Sequence, residues 1–291
     1  MDNSHQAYGQ LMAWKRDHLM TLFIWLAALM VAGAFLWLLG DLLVHGATHL
    51  SWSFLVDAPE NAGRAGGIGS IIVSTLLILT VAMLAAVPLG LATAVLLTEF
   101  ISATSRFGRL IGMSLDVLAG VPSIVFGLFG NVFFSVYLGL GFSILSGGLT
   151  LACMALPIFI NTAEAGLRAV PDEWRAGAAA LGLSRGAALL HILIPAAAPA
   201  LTAALLLGVG RAMAETAALI FTSGYVDRMP SSLMDSGRAL SVHIYDLSMN
   251  VAGGDANAYA SALILIVLLM IINGIAQSLS EKLLQRRIIT A

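Results

Sequence analysis

The stretch IGSIIVSTLLILTVAMLAAVPLGLATAVLLT, residues 68–98, contains no Asp, Glu, Lys or Arg. About 20 apolar residues cross the hydrocarbon core as a helix, because a helix satisfies every backbone N–H and C=O within itself. This run is longer than that need, which predicts tilt, a kink near Pro88, or projection into water. Four further runs carry no charge either: 19–40, 117–163, 186–210 and 256–280. The fold class that follows is all-α, a polytopic membrane protein.

Working outward from that run, 117–163 is about 47 residues and too long for one helix. It must break, and the stretch from Gly139-Leu140-Gly141 to Gly147-Gly148 supplies the turn. Six transmembrane helices are therefore expected, at roughly 19–41, 68–98, 110–138, 144–166, 188–222 and 258–282. The chain divides into a cytoplasmic segment 1–18, a first helix 19–41 and an outer loop 42–67. A five-helix core 68–282, with a cytoplasmic segment 167–187 inside it, and a tail 283–291 complete it. Lys15 and Arg16 precede a run already long enough to span, and no clear A-x-A site follows. This predicts a retained first helix rather than a cleaved signal.

Orientation follows from the cations. With the N-terminus inside, the cytoplasmic side holds 10 of the 14 Lys and Arg, among them Lys15, Arg106, Arg168, Arg175, Arg185 and Lys282. The outside holds 3 (Arg64, Arg228 and Arg238), while Arg211 falls within a span. The positive-inside rule then places both termini in the cytoplasm. No repeat of the two-halves kind is visible, which disfavours an inverted-repeat carrier.

Composition removes other classes. At 59% hydrophobic and 10% charged, with net charge −2, the chain has no basic footprint for nucleic acid. Cys153 is alone, so neither an internal disulfide nor a thiolate metal cluster is expected. The 6 His show no HExxH spacing, and no metal or cofactor is expected. Gly112-Met113-Ser114 with Asp116 lacks the His base in a neighbouring span that a serine protease requires. Gly66-Gly67-Ile68-Gly69 follows no strand, so it is not a dinucleotide loop. No GxxxxGK[ST] occurs anywhere. No catalytic residue is expected, and any ATP hydrolysis must be borrowed from a partner.

Pro171-Asp172-Glu173-Trp174 opens like a helix on the cytoplasmic side, with acidic residues at its positive end. Gly182 is placed to close it in a left-handed cap. Trp174, Ala178 and Leu181 recur at one-turn spacing as a short apolar stripe. A surface-lying amphipathic helix and a docking helix both fit that pattern. The order Ala176-Gly177-Ala178, then Gly182, then Ile192-x-Ile194-Pro195, resembles the EAA loop of ABC-importer permeases. Ala176 stands where that family often has Glu, and Gly177 where it has Ala. The resemblance implies that Trp174, Ala178, Leu181, Gly182, Ile192 and Pro195 form the contact with an ATPase subunit.

Three further segments narrow the likeness. Leu118-Ala119-Gly120-Val121-Pro122-Ser123-Ile124-Val125-Phe126-Gly127 resembles a signature of phosphate ABC-transporter permeases. Gly208-Val209-Gly210-Arg211-Ala212-Met213-Ala214-Glu215-Thr216-Ala217 is similar to the fifth-span segment of the same family. Its ending, and Leu240-Ser241-Val242-His243-Ile244-Tyr245, resemble the A-type (PstA-like) subunit. The resemblance spans about residues 65–285. It implies a type I ABC-importer permease fold and one subunit of an ATP-driven phosphate importer in a bacterial inner membrane. The implied partners are a homologous C-type permease, an ATPase dimer, an external phosphate-binding protein, phosphate itself and membrane lipid. A permease for another oxyanion and a stand-alone carrier remain as alternatives.

Arg211 and Glu215 lie four apart, so on one helix they can pair at membrane depth, where ionisable groups are costly. Two readings stay open: a pair that pins helices, or charges that line the translocation path or its gate. Asp116 and Glu164 bracket the long uncharged run and are read as structural. Gly120 and Pro122 permit a helix bend, and Gly127 and Gly130 close approach of helices.

Overall fold

The computed structural model describes residues 3–101 and 105–288. Among these, helix α1 (Asn3–Ala47) leads through the short helix α2 (Trp52–Val56) to α3 (Gly69–Phe100). Then come α4 (Arg106–Ala119), α5 (Ser123–Tyr137), α6 (Ile144–Arg168) and α7 (Asp172–Ala180). The C-terminal part holds α8 (Arg185–Ala196), α9 (Ala198–Met213), α10 (Ala217–Ile220), α11 (Leu240–Met249) and α12 (Asp255–Ile288). The extended pairing among the described residues is a two-residue ribbon, Pro59–Glu60 against Ala65–Gly66, with Pro59 opposite Gly66. Of the tail expected at 283–291, residues 289–291 lie outside the described residues.

Among the described residues four helices are long and apolar enough to cross a membrane unbroken, and two bent pairs raise that to as many as six if each pair is one crossing. The pair α4 and α5 turns by 100° at residues 120–122. There Pro122 lacks an N–H and disfavours helical geometry for the residue before it. The pair α8 and α9 turns by 70° at Ala197. Pro195 and Pro199 flank that point, and a wide π-helical turn, Leu189–Leu193, precedes it. The third and fifth crossings are thus two-legged rather than straight. Gly147 and Gly148, expected in a turn, lie inside α6, and the turn itself is confined to residues around Gly139 and Gly141.

Helices α3 and α6 form the most extensive pair in the bundle. Close approach is what Gly148 provides: a Cβ there would sit 2.5 Å from Val81 Cγ1. One apolar layer joins Ile78, Ala82, Leu151 and Met154 to Val209 and Met213 of α9. A second, toward the expected cytoplasmic end, joins Ala94, Phe159, Leu167 and Val170 to Leu193 and Ala197. Helix α4 is amphipathic: Leu115 packs with Leu97 and Ile160, while Phe107, Leu110 and Val117 stay exposed. Helix α1 rests mainly on α12, and its apolar surface faces outward along the whole crossing.

Candidate functional site

Helix α7 is short and almost free of the bundle; Ala178 is its one buried residue. Asp172 and Glu173 fill the first turn, and Gly182 turns the chain back with φ +71°. The Leu183 amide then donates to the Ala178 carbonyl at 3.0 Å. That turn drives Ala178 inward, so the expected three-residue stripe is split. Trp174 and Leu181 remain exposed, at 50% and 79%. Ile192 and Pro195 are half-buried in α8, with Ile192 against the second apolar layer.

Three helix ends converge on one guanidinium beneath α7. Arg175 Nη2 donates to Glu99 Oε1 at 2.9 Å and to the Leu167 carbonyl at 3.0 Å. Its Nη1 donates to the Val170 carbonyl at 2.8 Å and reaches Asp172 Oδ1 at 3.3 Å. The Glu99 hydrogen bond holds the Arg175 pKa above its ordinary range, outweighing burial. Beside it, Arg168 bonds Glu164 at 2.8 Å and donates to the Leu97 carbonyl at 3.0 Å. The last turn of α3, Leu96–Phe100, is π-helical, and the end of a helix leaves carbonyls to be satisfied by such donors. Glu99 and Arg175 also form part of the wall of a cleft of about 270 Å³, together with Phe100, Ala179, Arg185 and Leu189. In the sequence Arg175 reads only as one cation among those assigned to the cytoplasmic side, and Glu99 carries no motif. The signal was there: Glu99 is the first charge after the long run 68–98, and Arg175 adjoins the motif at 176–178.

Arg211 and Glu215 do not share one helix. Helix α9 ends at Met213, and Glu215 falls beyond its cap residue Ala214. Glu215 is buried, and its Oε1 accepts the Ala218 amide at 3.2 Å, capping α10. Its own carbonyl accepts Ser241 Oγ of α11 at 2.5 Å. Arg211 is exposed in the last turn of α9, where its charge complements the helix dipole. No ion pair joins it to Glu215 among the described residues. The expected pairing is therefore replaced by a cap and a free-standing cation, because the chain leaves the helix before residue 215.

The segment after Glu215 is strapped into the bundle. Asn131 Nδ2 donates to the Phe221 carbonyl at 2.8 Å, and the Ser143 amide to the Thr222 carbonyl at 3.0 Å. The next two amides of α6, Ile144 and Leu145, donate to the carbonyls of Asp235 and Leu233. Gly127 of α5 lies against α10: a Cβ there would be 2.8 Å from Ala218 Cα. Gly120 and Pro122 are exposed at the bend itself. Asp116 is exposed on α4, and Glu164 is taken by Arg168.

On the far side, Arg238 is buried at 8% exposure, donating to the Tyr225 carbonyl at 2.8 Å and facing Asp246 at 3.4 Å. His243 Nδ1 lies 3.5 Å from Arg238 Nη1. Burial, then the Arg238 charge, push the His243 pKa down to about 4 against the opposing pull of Asp246. Among the described residues no group of three His, Cys, Asp or Glu could hold a metal.

This architecture, with bent crossings and a short helix standing off one face, is that of the type I ABC-importer permeases. A bacterial ABC transporter that imports the acidic polysaccharide alginate aligns over 89% of this chain and 96% of its own, with TM-score 0.61 and 12% identity. An inward-facing structure of the MetNI methionine ABC transporter aligns over 76% and 94%, with TM-score 0.51 and 16% identity. Residues 86–288 match the family of binding-protein-dependent transport system inner membrane components, and the chain belongs to it. It is a multi-pass inner-membrane transport component. The probable ABC transporter permease protein YqgI of Bacillus subtilis is 28% identical over 88% of this chain and 92% of that protein. The phosphate transport system permease protein PstA of Mycobacterium leprae is 33% identical over 89% and 86%. PstA 1 of Mycobacterium tuberculosis is 36% identical over 72% and 69%.

Proposed function

We propose that this chain is the A-type permease subunit of an ATP-driven phosphate importer, supplying half of the translocation path. The observation that carries the reading is identity of 33% and 36% with phosphate-system permeases along most of the chain. The exposed Trp174 and Leu181 on α7 support it, since an apolar pair on a helix outside the bundle calls for a cover. The partners are a homologous C-type permease, a dimer of ATPase subunits and an external phosphate-binding protein. The chain has no GxxxxGK[ST], so the ATPase supplies the hydrolysis. Both termini are cytoplasmic, following the 10-to-3 distribution of Lys and Arg.

In this mechanism nucleotide binding closes the ATPase dimer and displaces α7. Helices tied to α7 follow, and the path switches between inward- and outward-facing states. Arg211, which has no ion-pair partner among the described residues, faces the path with the fork geometry suited to an oxyanion. Glu215 holds the gate segment 216–223 in shape through its cap on Ala218. The bends at Gly120-Val121-Pro122 and at Ala197 are where the legs of the crossings rotate.

Purification of the tagged chain tests this: an ATPase and a second six-span protein should co-purify, and the reconstituted assembly should take up phosphate with ATP. Transport by the chain alone would establish a stand-alone carrier. Uptake of molybdate or sulfate in preference to phosphate would assign a different oxyanion.

A further inference from the structure

The described residues of α7 make few apolar contacts with the bundle, yet the proposed mechanism requires its displacement to reach the spans. The polar knot supplies a connection. Arg175 is the one α7 side chain that bonds two other elements at once, reaching the α6 end at Leu167 and Val170 and the α3 end at Glu99. Arg175 and Glu99 are both largely shielded, with side-chain exposures of 25% and 17%. A multi-bond guanidinium–carboxylate contact fixes orientation as well as distance, which a single ammonium contact does not. Arg168, bonded to Glu164 and to the Leu97 carbonyl, keeps the ends of α3 and α6 in register beside it. Motion of α7 along its axis therefore pulls on the π-helical end of α3, which packs along α6 through the core.

We infer that the Glu99–Arg175 ion pair is the strut that transmits displacement of α7 to α3, making both positioning residues for coupling ATP hydrolysis to transport. This rests on the reading of the chain as an ATPase-driven permease. The pair lines the wall of the cleft beside α7 and is mostly shielded, whereas Trp174 and Leu181 stand exposed on the outside of that segment. Its loss should spare docking and impair transmission.

The test uses the assembled complex in proteoliposomes, measuring phosphate uptake and ATP hydrolysis together. Glu99→Gln keeps the shape and leaves every Arg175–carbonyl bond in place. It should co-purify with the ATPase at wild-type yield, while uptake per ATP falls about tenfold, within the range usual for a coupling free energy. Arg175→Lys should fall similarly, because one ammonium cannot reach Glu99 and both carbonyls together. If uptake and hydrolysis drop in proportion to assembled complex, with their ratio unchanged, the pair only holds the fold and the strut is overturned. Loss of ATPase co-purification from Glu99→Gln would also overturn it, placing the pair in docking. A wild-type chain that brings down no ATPase would instead refute the underlying functional reading.

Discussion

The Glu215 carboxylate lies 3.2 Å from the Ala218 amide, so the acid expected to face Arg211 within a span closes the turn beyond it instead. Its Oε1 accepts an orphan N–H of α10, while Arg211 looks outward from the last turn of α9. The two charges do separate work.

Separate work predicts additivity. Glu215→Ala should destabilise the detergent-solubilised chain by about 1–2 kcal/mol, the usual cost of losing a cap. Arg211→Gln should leave stability nearly unchanged yet cut phosphate uptake per assembled complex. The Arg211→Gln, Glu215→Ala double variant should show a stability change equal to the sum of the two singles within about 0.5 kcal/mol. A large coupling energy, with uptake restored in the double variant, would return the pair to a pinning role.

Trp174 and Leu181 are exposed on α7 while Ala178 turns inward, which sorts the substitutions. Leu181→Asp should abolish ATPase co-purification, because docking would bury an unpaired carboxylate at a cost of several kcal/mol. Ala178→Asp should instead disturb the chain's own fold, since that site is closed by Leu183 and the α8 side of the cleft. Wild-type co-purification and uptake by Leu181→Asp would show that the exposed pair faces lipid.

The membrane class and the all-α fold were legible because uncharged length is a one-dimensional signal that burial in lipid enforces. The bends were visible only as permissive residues. Pro122 states that a helix can break, but the 100° turn depends on Leu115 packing with Leu97 and Ile160. The Arg211–Glu215 pairing failed because spacing assumes a continuing helix, and α9 stops at Met213 in favour of hydrogen bonds to distant elements such as Ser241. Glu99 and Arg175 are 76 residues apart, and no local periodicity connects them.

Orientation has a direct check in single cysteines placed in a Cys153→Ser background. Ser184, the N-cap of α8, is exposed, as is Ser232 in the opposite loop. Ser236 is a poorer site, because it is half-buried and its hydroxyl donates to the Ser223 carbonyl at 2.9 Å. Ser232→Cys should react with an impermeant maleimide in intact spheroplasts, and Ser184→Cys only after lysis. Labelling of both from outside would overturn the six-crossing topology.

The outer polar cluster sets a pH dependence whose sign is fixed by its geometry. His243 is held neutral with a pKa near 4, below its ordinary value of 6.5, by burial and by the facing Arg238. The unfolded chain therefore takes up a proton that the folded chain refuses, and stability falls as pH drops from 6.5 toward 4. The full effect is roughly 3 kcal/mol at the acid end, while above pH 6.5 the group contributes no slope. Asp246, at 3.4 Å from Arg238, moderates the effect by favouring the protonated ring. Thermal unfolding of the detergent-solubilised chain across pH 4 to 7 should show the decline on top of that from carboxylates. His243→Gln should flatten the part between 6.5 and 4, whatever its own cost at neutral pH. An unchanged slope in that variant would mean that the ring is charged in the folded state and that Arg238 is held by the Tyr225 carbonyl and by carboxylates such as Asp246 rather than by the ring.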